Sequence, residues 1–540
     1  MSAKSVCEPM VDSRMSGTLL KAEVHRDRVV TCYPERAADL AERVAVIAAE
    51  RPTAIAVVEG AERLSYADLF AQAGALAALL AAGGVGVGDR VAVMLANGID
   101  AVRTVVAILR LGAVLVAVST RSRAAELDYI CADCDPTAII YGPEFADVIA
   151  AAPAAPAVRY DVAASAWRTA VACGDPPPSA APTDEEAVFA ILYTSGTTGK
   201  PKGAMLTHVG AIHSCLHWRD AFGLGDEERT LVCVPWAHVS GLCGVVMPFL
   251  YLGGTLIMLP EFKRRAALEL AERERITHAL MVPAMYGLCL LESDLADFDL
   301  KSWRIAAYGG APMPEPTIAR FAAVFPWLAM CNAYGATETT SPATIMPPGE
   351  GTVRADSIGR VVTCGDILVM DDQGREVPPG TDGELWIAGP MVVPGYWRNA
   401  EATAASFVGG YWKSGDIGSI DADGYVRIAD RKKDMIIRGG FKVYPAEVES
   451  VIAGLDGVVE AAVVGRVDAM LGEAVVAFVT AEHDCLTPNQ VRAWCAERLS
   501  DYKVPADVVI EAAALPRNAN GKIQKARLRE RAAALSECAA

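Results

Sequence analysis

The feature that most constrains the fold is a regular alternation of apolar helices and short strands. Between about Glu35 and Val118, the segment LSYADLFAQAGALAALLAAGG is typical of a helix that ends at glycines, and DRVAVML after it is typical of a strand. Such alternation predicts layered sheets covered by helices. The chain has 540 residues, more than one hydrophobic core can serve, so we expect two or more domains.

A change in pattern beyond the middle of the chain predicts the domain organisation. Between Ile358 and Asp430, short strands such as GELWIAG and GYVRIAD are separated by Gly and Asp. After Lys433, helices that begin at prolines, the first at Pro445, alternate with the strands AAVVGR and AVVAFVT. We predict an α/β protein. A large N-terminal domain, residues 1–432, has layered mixed sheets with helices and a small β-rich section, and a small mobile α+β C-terminal domain covers residues 433–540.

The charge and the cysteines restrict the partners and the compartment. The formal net charge is -17, so this acidic chain is a poor candidate for binding nucleic acid or an anionic membrane surface. The 14 cysteines are scattered, mostly in apolar runs, which is typical of reduced thiols in a cytoplasmic protein. The N-terminus lacks the apolar stretch of a signal peptide, and the CxxC pair Cys131 and Cys134 lacks further zinc ligands nearby. We expect a cytoplasmic protein in which this pair is structural.

One long uncharged segment needs its own interpretation. The residues from Leu231 to Pro260 include no Asp, Glu, Lys or Arg, and this length could span a bilayer. However, His238, Pro248 and the pair Gly253–Gly254 interrupt the segment, and GGTLIML near its end is typical of a buried strand. We predict a buried helix followed by a buried strand, and no integral membrane segment.

The stretch YTSGTTGKPKG, Tyr193–Gly203, has the composition of a phosphate-binding loop. A P-loop NTPase requires GxxxxGK followed by Ser or Thr, whereas here Lys200 is followed by a proline, which disfavours that class. The loop can still cradle an anion, because its glycines let the backbone approach and its hydroxyls and lysines supply donors. The residues concerned are Thr194, Ser195, Gly196, Thr197, Thr198, Gly199, Lys200 and Lys202.

Five further motifs follow the loop in order. They are AYGGAP (Ala307–Pro312), NAYGATE (Asn332–Glu338), YWKSGDIG (Tyr411–Gly418), DRKKDMIIRGGFKVYPAEVE (Asp430–Glu449) and PRNANGKIQK (Pro516–Lys525). Together with the loop, this series resembles the adenylate-forming (AMP-binding) superfamily, in its acyl- and aryl-CoA synthetase branch. The resemblance extends from about Glu35 to Arg529 and therefore covers nearly the whole chain.

The resemblance implies an ATP-dependent acid–CoA ligase that works in two steps. A carboxylate attacks the α-phosphate of Mg-ATP to give an acyl-adenylate and pyrophosphate, and the thiol of coenzyme A then displaces AMP. ATP, Mg²⁺ and coenzyme A are thus the expected cofactors and partners, with a small-molecule acid as substrate. Two alternatives stay open at this point: transfer of the acyl group to a carrier protein or another acceptor, and a non-enzymatic binder on the same fold. A homodimer is an open alternative to a monomer.

The resemblance also implies roles for individual residues. Lys522 would neutralise charge between the carboxylate and the α-phosphate, Glu338 and Thr194 would hold Mg²⁺, and Thr337 would contact the phosphates. Asp416, supported by Arg431, would accept hydrogen bonds from the ribose hydroxyls. Adenine would stack on Tyr334 and be lined by Gly310, Ala311, Pro312 and Asn332.

A second group of residues would serve the thiol and the acid. The small domain would rotate about Lys433, and the turn Gly439–Gly440 would line the path of the thiol. His238 would adjoin the acyl pocket or gate the entry of the thiol. An aromatic residue commonly precedes this histidine in the family, and this chain has Ala237 there instead.

The residues that the resemblance places around the acyl group are small or apolar. They are His238, Val239, Ser240, Ala333, Gly335, Thr340 and Ser341. No acidic residue lies beside them to pair with an ammonium group, so we expect a hydrophobic aryl, arylalkyl or medium-chain acid rather than an α-amino acid. His213 and His217 lie four residues apart on a predicted helix without a third ligand, and we interpret them as packing or helix-surface residues.

The role of Lys522 leads to a first prediction. Lys522→Ala should nearly abolish formation of the acyl-adenylate, because the positive charge at the α-phosphate is lost, and should spare thioester formation from supplied acyl-AMP. The two half-reactions are measured separately by pyrophosphate release and by thioester yield. An equal loss in both would contradict a rotation that moves this lysine out of the site.

Overall fold

A computed structural model describes residues 20–173, 184–194, 201–468, 470–481, 486–517 and 523–537. The helices are α1 (Leu40–Glu50), α2 (Tyr66–Ala82), α3 (Ile99–Arg110), α4 (Ala124–Cys134), α5 (Ala146–Ala150), α6 (Ser165–Cys173), α7 (His208–Phe222), α8 (Val239–Gly241), α9 (Met247–Leu252), α10 (Arg264–Arg273), α11 (Pro283–Cys289), α12 (Glu315–Val324), α13 (Ala400–Ser406), α14 (Pro445–Ala453), α15 (Pro488–Ala496) and α16 (Lys525–Glu537). Shorter 3₁₀ turns cover Pro143–Phe145, Leu295–Asp297, Thr337–Thr339 and Asp501–Lys503, and a π-helical segment covers Leu242–Val246.

The strands are β1 (Lys21–His25), β2 (Arg28–Cys32), β3 (Ile55–Glu59), β4 (Glu62–Ser65), β5 (Arg90–Met94), β6 (Val114–Ala117), β7 (Ala138–Tyr141), β8 (Val158–Asp161), β9 (Val188–Thr194), β10 (Lys202–Thr207), β11 (Arg229–Val232), β12 (Thr255–Met258), β13 (His278–Met281), β14 (Ile305–Tyr308), β15 (Ala329–Tyr334), β16 (Thr344–Ile345), β17 (Gly359–Val361), β18 (Asp366–Met370), β19 (Gly383–Ala388), β20 (Phe407–Val408), β21 (Tyr411–Ile420), β22 (Tyr425–Arg431), β23 (Ile436–Arg438), β24 (Phe441–Val443), β25 (Val458–Asp468), β26 (Gly472–Ala481) and β27 (Asp507–Glu511).

Two large sheets form the N-terminal part of the protein. One has the strand order β10-β9-β6-β5-β7-β8 and is parallel apart from the β9–β10 hairpin. The other runs β18-β19-β21-β22-β17-β16-β15-β14-β13-β11-β12-β3-β4. Its strands are parallel from β15 to β3 and antiparallel toward both edges, so the predicted β-rich section continues a parallel sheet. The predicted α/β class with layered mixed sheets and helices is confirmed.

The C-terminal part has a sheet of its own with the order β24-β23-β26-β25, and β27 pairs with β26. Helix α14 begins at Pro445, as predicted, and α15 begins at Pro488 after the N-cap Thr487. The last strand of the large sheet, β22, ends at Arg431, and the first strand of the small sheet begins at Ile436. The predicted boundary at 432/433 falls between these strands and stays a prediction.

The uncharged segment folds as predicted into helix and then strand. Helices α8 and α9 flank the π-helical segment, and β12 follows at Thr255–Met258. Nearly all of these residues are buried in the hydrophobic core. Across the described ranges, none of the helices has both the length and the apolar character needed to cross a membrane. Cys131 and Cys134 are buried free thiols.

Helix α7 lies inside the protein rather than on its surface. His213 and His217 are both buried, so packing is the correct one of the two interpretations. The Nδ1 atom of His213 donates to the carbonyl of Val209 at 2.8 Å, and its Nε2 atom accepts from the backbone N–H of Tyr33 at 3.2 Å. Burial lowers the pKa of His213 to about 4.

The lowered pKa of His213 predicts a loss of stability in acid. The neutral imidazole binds a proton only after unfolding, so its contribution is complete above the unfolded pKa of about 6.5 and falls by up to about 3 kcal/mol as the pH drops through 4. His213→Gln keeps an acceptor for Tyr33. Its free energy of unfolding in urea should fall less steeply than that of the wild type between pH 6.5 and 4, by up to about 1.4 kcal/mol per pH unit. Identical slopes would contradict the assignment.

Candidate active site

Several of the residues predicted to contact the nucleotide follow strand ends on one edge of the large sheet. Strands β14 and β15 are parallel neighbours, so the segments that follow them meet at the same edge, where open α/β sheets bind ligands. After β14, Gly310 adopts a φ of 80° and is exposed, as are Ala311 and Pro312. A Cβ atom on Gly309 would lie 2.3 Å from the carbonyl oxygen of Ala333, so only glycine allows the two segments this approach. The exposed backbone that follows β14 therefore lies directly beside the end of β15.

A buried carboxylate joins the end of β15 to the β-rich section. Asp416 in β21 is 5% exposed and accepts a hydrogen bond from the hydroxyl of Tyr334 at 2.6 Å. The Nε atom of Arg431, at the end of β22, lies 3.2 Å from the other carboxylate oxygen. Burial and the neighbouring Asp416 charge raise the pKa of Tyr334 well above its usual value, so this hydroxyl stays a donor. The structure thus brings together Tyr334, Asp416 and Arg431 as predicted neighbours.

Glu338 forms a second carboxylate centre nearby. It lies in the 3₁₀ turn Thr337–Thr339 with 8% exposure, and the hydroxyl of Tyr396 donates to its Oε1 atom at 2.8 Å. No basic side chain among the described residues forms an ion pair with it. A buried carboxylate held by a neutral hydroxyl suits a hard divalent cation, so Glu338 fits the predicted Mg²⁺. Thr194, its predicted partner, ends β9 and is half-buried.

The ends of the predicted phosphate loop are fixed, although most of the loop lies outside the described residues. Thr194 pairs with Lys202 across the β9–β10 hairpin, and the Nζ atom of Lys202 lies 5.1 Å from the ring centroid of Tyr396. The loop therefore starts and ends beside the Glu338 centre. The other predicted members, Ser195, Gly196, Thr197, Thr198, Gly199 and Lys200, fall outside the described ranges, as does Lys522. On either side of Lys522, Arg517 and Ile523 form an isolated bridge.

Asn97, which the sequence did not single out, positions the segment that carries His238. Its buried amide nitrogen lies 3.0, 3.3 and 3.2 Å from the carbonyl oxygens of Val234, Val232 and Leu259, which share its two N–H donors, and its oxygen accepts from the N–H of Trp236 at 2.9 Å. The indole of Trp236 donates to Leu95 at 2.8 Å. Trp236 is therefore a core residue rather than the aromatic neighbour that the family places at this histidine.

The predicted acyl-pocket residues lie on two segments. His238, Val239 and Ser240 are half-buried at the start of α8. The others follow from the end of β15: Ala333, Gly335, Thr340 and Ser341. The hydroxyl of Thr340 donates to the carbonyl of Met391 at 2.7 Å, and a Cβ on Gly335 would lie 3.2 Å from the Cα of Pro342, so this turn is closely packed.

The residues predicted for the thiol step lie in the C-terminal part. Gly439 and Gly440 form the exposed turn between β23 and β24, with φ values of 59° and 84°, and the N–H of Gly439 donates to Leu471 at 2.7 Å. Burial lowers the pKa of Lys433. Among the described contacts, these residues are not hydrogen-bonded into the Asp416 or Glu338 centres. Asn97 and Tyr396 had no sequence signal that would have found them, since each lies outside a recognisable motif.

The chain as a whole matches two family models, "AMP-binding enzyme" over residues 44–397 and "AMP-binding enzyme C-terminal domain" over residues 447–522. This protein belongs to the AMP-binding enzyme family. The prediction of an AMP-forming acid–thiol ligase of the adenylate-forming superfamily is confirmed.

Known members of the family are similar over nearly their full length. A feruloyl-CoA synthase of Amycolatopsis sp is 37% identical over 481 residues, which are 89% of this chain and 96% of that protein. A long-chain-fatty-acid–CoA ligase of Mycobacterium tuberculosis is 36% identical over 476 residues, 87% of this chain and 93% of that protein. The structure of o-succinylbenzoate CoA synthetase from Bacillus subtilis with its acyl-adenylate intermediate superposes with a TM-score of 0.81 at 28% identity, covering 90% and 97% of the two chains.

Tyr396 is expected to position Glu338 for the AMP-binding enzyme's metal. Tyr396→Phe removes the donor to Glu338 and should raise the Mg²⁺ concentration for half-maximal pyrophosphate release about tenfold, as loss of a supporting hydrogen bond typically does. Tyr411→Phe is the matched control, because Tyr411 also donates to a carboxylate, that of Asp366, in the β-rich section. Equal Mg²⁺ requirements in both variants would contradict the role.

Proposed function

We propose that this AMP-binding enzyme joins a hydrophobic aryl, arylalkyl or medium-chain carboxylic acid to coenzyme A. In the first step, a carboxylate oxygen bonds to the α-phosphorus of ATP and pyrophosphate leaves. In the second step, the sulfur of coenzyme A bonds to the acyl carbon of the adenylate and AMP leaves. The observation that carries the proposal is the contact of Asp416 with Tyr334, with Glu338 four residues further along the chain and beside the ends of the phosphate loop.

In this proposal each carboxylate has a separate task. Asp416 accepts the ribose hydroxyls, since a carboxylate with one hydroxyl and one guanidinium partner retains lone pairs for further donors. Tyr334 offers its ring to the adenine, and the exposed backbone at Gly310 lines the adenine edge. Glu338 and Thr194 hold Mg²⁺, which neutralises charge on the phosphates when bound. Catalysis then depends on orientation and charge, because phosphoryl chemistry needs little covalent help from the protein.

The acid and its environment follow from the residues around His238. The residues predicted beside it are uncharged, which favours a hydrophobic acyl group. They are Val239, Ser240, Ala333 and Gly335. Lys522 compensates the charge between carboxylate and α-phosphate, and rotation of the C-terminal domain about Lys433 would exchange it for the face with Gly439–Gly440. We also propose a cytoplasmic location, which the free cysteines of the described residues support.

A panel assay tests the proposal directly. Pyrophosphate release with ATP and Mg²⁺ is measured across benzoates, 3-phenylpropanoates and saturated acids of six to twelve carbons, each with and without coenzyme A. We expect acid-dependent release, with a thioester only when coenzyme A is present. If acyl-AMP stays bound in the presence of coenzyme A, the acceptor of the acyl group in the second step is a carrier protein instead. Release that is independent of the acid would overturn the ligase. Light scattering of the same sample distinguishes a monomer from a homodimer.

A further inference from the structure

Behind the predicted acyl pocket, four residues meet at one point. Gly244 lies in the π-helical segment Leu242–Val246. A Cβ atom on Gly244 would lie 3.8 Å from the Oγ atom of Ser341, 3.5 Å from Cζ2 of Trp218 and 2.9 Å from Cδ2 of Leu280. Ser341 is a predicted pocket residue, whereas Trp218 and Leu280 come from α7 and β13. Gly244 therefore lies between a predicted pocket residue and two residues of the protein interior.

The segments that meet there are held in place by hydrogen bonds. The hydroxyl of Ser214, one helical turn before Trp218, donates to the carbonyl of Ser341 and lies 3.2 Å from the carbonyl of Cys243. The single hydroxyl hydrogen of Ser214 thus fastens helix α7 to the pocket turn, and the π-helical segment lies beside the same hydroxyl. A wall built this way cannot move aside without breaking buried hydrogen bonds.

Trp218 presents a polar edge to this point. It is 1% exposed, and its buried Nε1 atom has no hydrogen-bond partner among the described residues. Nε1 and Cζ2 are bonded to the same ring carbon, so the N–H belongs to the edge of the indole that faces Gly244. Buried indole N–H groups normally find an acceptor. Because this unpaired donor lies beside a predicted pocket residue, a bound ligand can supply its acceptor.

Behind the indole, the interior is closed by aromatic rings. The ring centroid of Phe222 lies 5.5 Å from that of Trp218, and that of His278 lies 6.4 Å away in a perpendicular arrangement. Phe249 packs on His278 at 5.2 Å. Leu280 is also buried, at 4% exposure. A straight alkyl chain that reached Gly244 would meet this aromatic wall.

We infer that Trp218 and Gly244 set the depth and the polarity of the acyl pocket, and that the acid is an aryl acid with an oxygen acceptor on the ring, distant from its carboxylate. This inference rests on the proposed function. A hydroxyl, methoxy or carbonyl oxygen at that end accepts the Trp218 N–H. An unsubstituted ring leaves the donor unpaired, and a longer chain is excluded by the indole. Sites built to bond a polar group discriminate well against analogues that lack it.

The test compares 3-phenylpropanoate, its para-hydroxy and para-methoxy analogues, and dodecanoate as acids, with kcat/KM for pyrophosphate release as readout. The wild type should prefer the para-oxygenated acids about tenfold over 3-phenylpropanoate and use dodecanoate poorly. Trp218→Phe, which keeps a ring and removes the N–H, should abolish the preference, because kcat/KM for the para-oxygenated acids should fall to the level of 3-phenylpropanoate. Trp218→Ala should raise activity on dodecanoate, and Gly244→Ala should lower activity on the para-substituted acids in particular.

The controls separate this inference from the proposed function. Trp167→Phe removes another buried indole N–H, one that donates to Asp100 at 3.2 Å far along the chain from the pocket segments, and should leave the acid preference unchanged. KM for ATP should be unchanged in every variant. A wild type that releases pyrophosphate with none of the acids would overturn the proposed function. An active wild type whose preference survives Trp218→Phe would overturn the inference alone, and Gly244→Ala tests it independently if Trp218→Ala fails to fold.

Discussion

The buried carboxylate of Asp416 is the contact on which the site depends. A charge removed from water must be paired, and leaving it unpaired costs several kcal/mol. Its partners, Tyr334 and Arg431, end β15 and β22, so the carboxylate in the middle of β21 joins three strands of one sheet. The β-rich section is therefore part of the nucleotide site rather than an appendage to it. Because Arg431 is also the last residue of β22, the same contact reaches the junction with the C-terminal part.

The neutral amide of Asn97 has a comparable role near the predicted acyl pocket. Asn97 uses both of its polar atoms on backbone groups of the segment before His238 and on the end of β12. Backbone groups at strand ends need partners in a buried position, and this one side chain contacts four of them. Asn97 lies between β5 and α3, about 140 residues before His238 in the sequence. Its hydrogen bonds therefore fix the path of the backbone that leads to His238.

The sequence was informative where local chemistry decides structure. The glycines after α2, the prolines at the starts of α14 and α15 and the ordered motifs predicted elements and family correctly, because each acts within a few residues. Contacts between distant segments were not predictable. Tyr396 has no local pattern that points to Glu338, 58 positions earlier, and the burial of His217 depends on packing around α7. The π-helical segment likewise has no signature in LCGVV.

The helix α14 has one further consequence for how the two parts of the protein form. Its own N-cap, Tyr444, offers no side-chain hydrogen bond, and the N–H of Ala446 is instead satisfied by the carboxylate of Asp430 at 2.8 Å. Asp430 belongs to β22, in the sheet that precedes the junction. In a fragment that starts at Lys433, this N–H would have only water as its acceptor, and the first turn of α14 would fray. During synthesis, β22 with Asp430 emerges from the ribosome before α14. The acceptor for the first turn of this helix is therefore supplied by the N-terminal part of the protein.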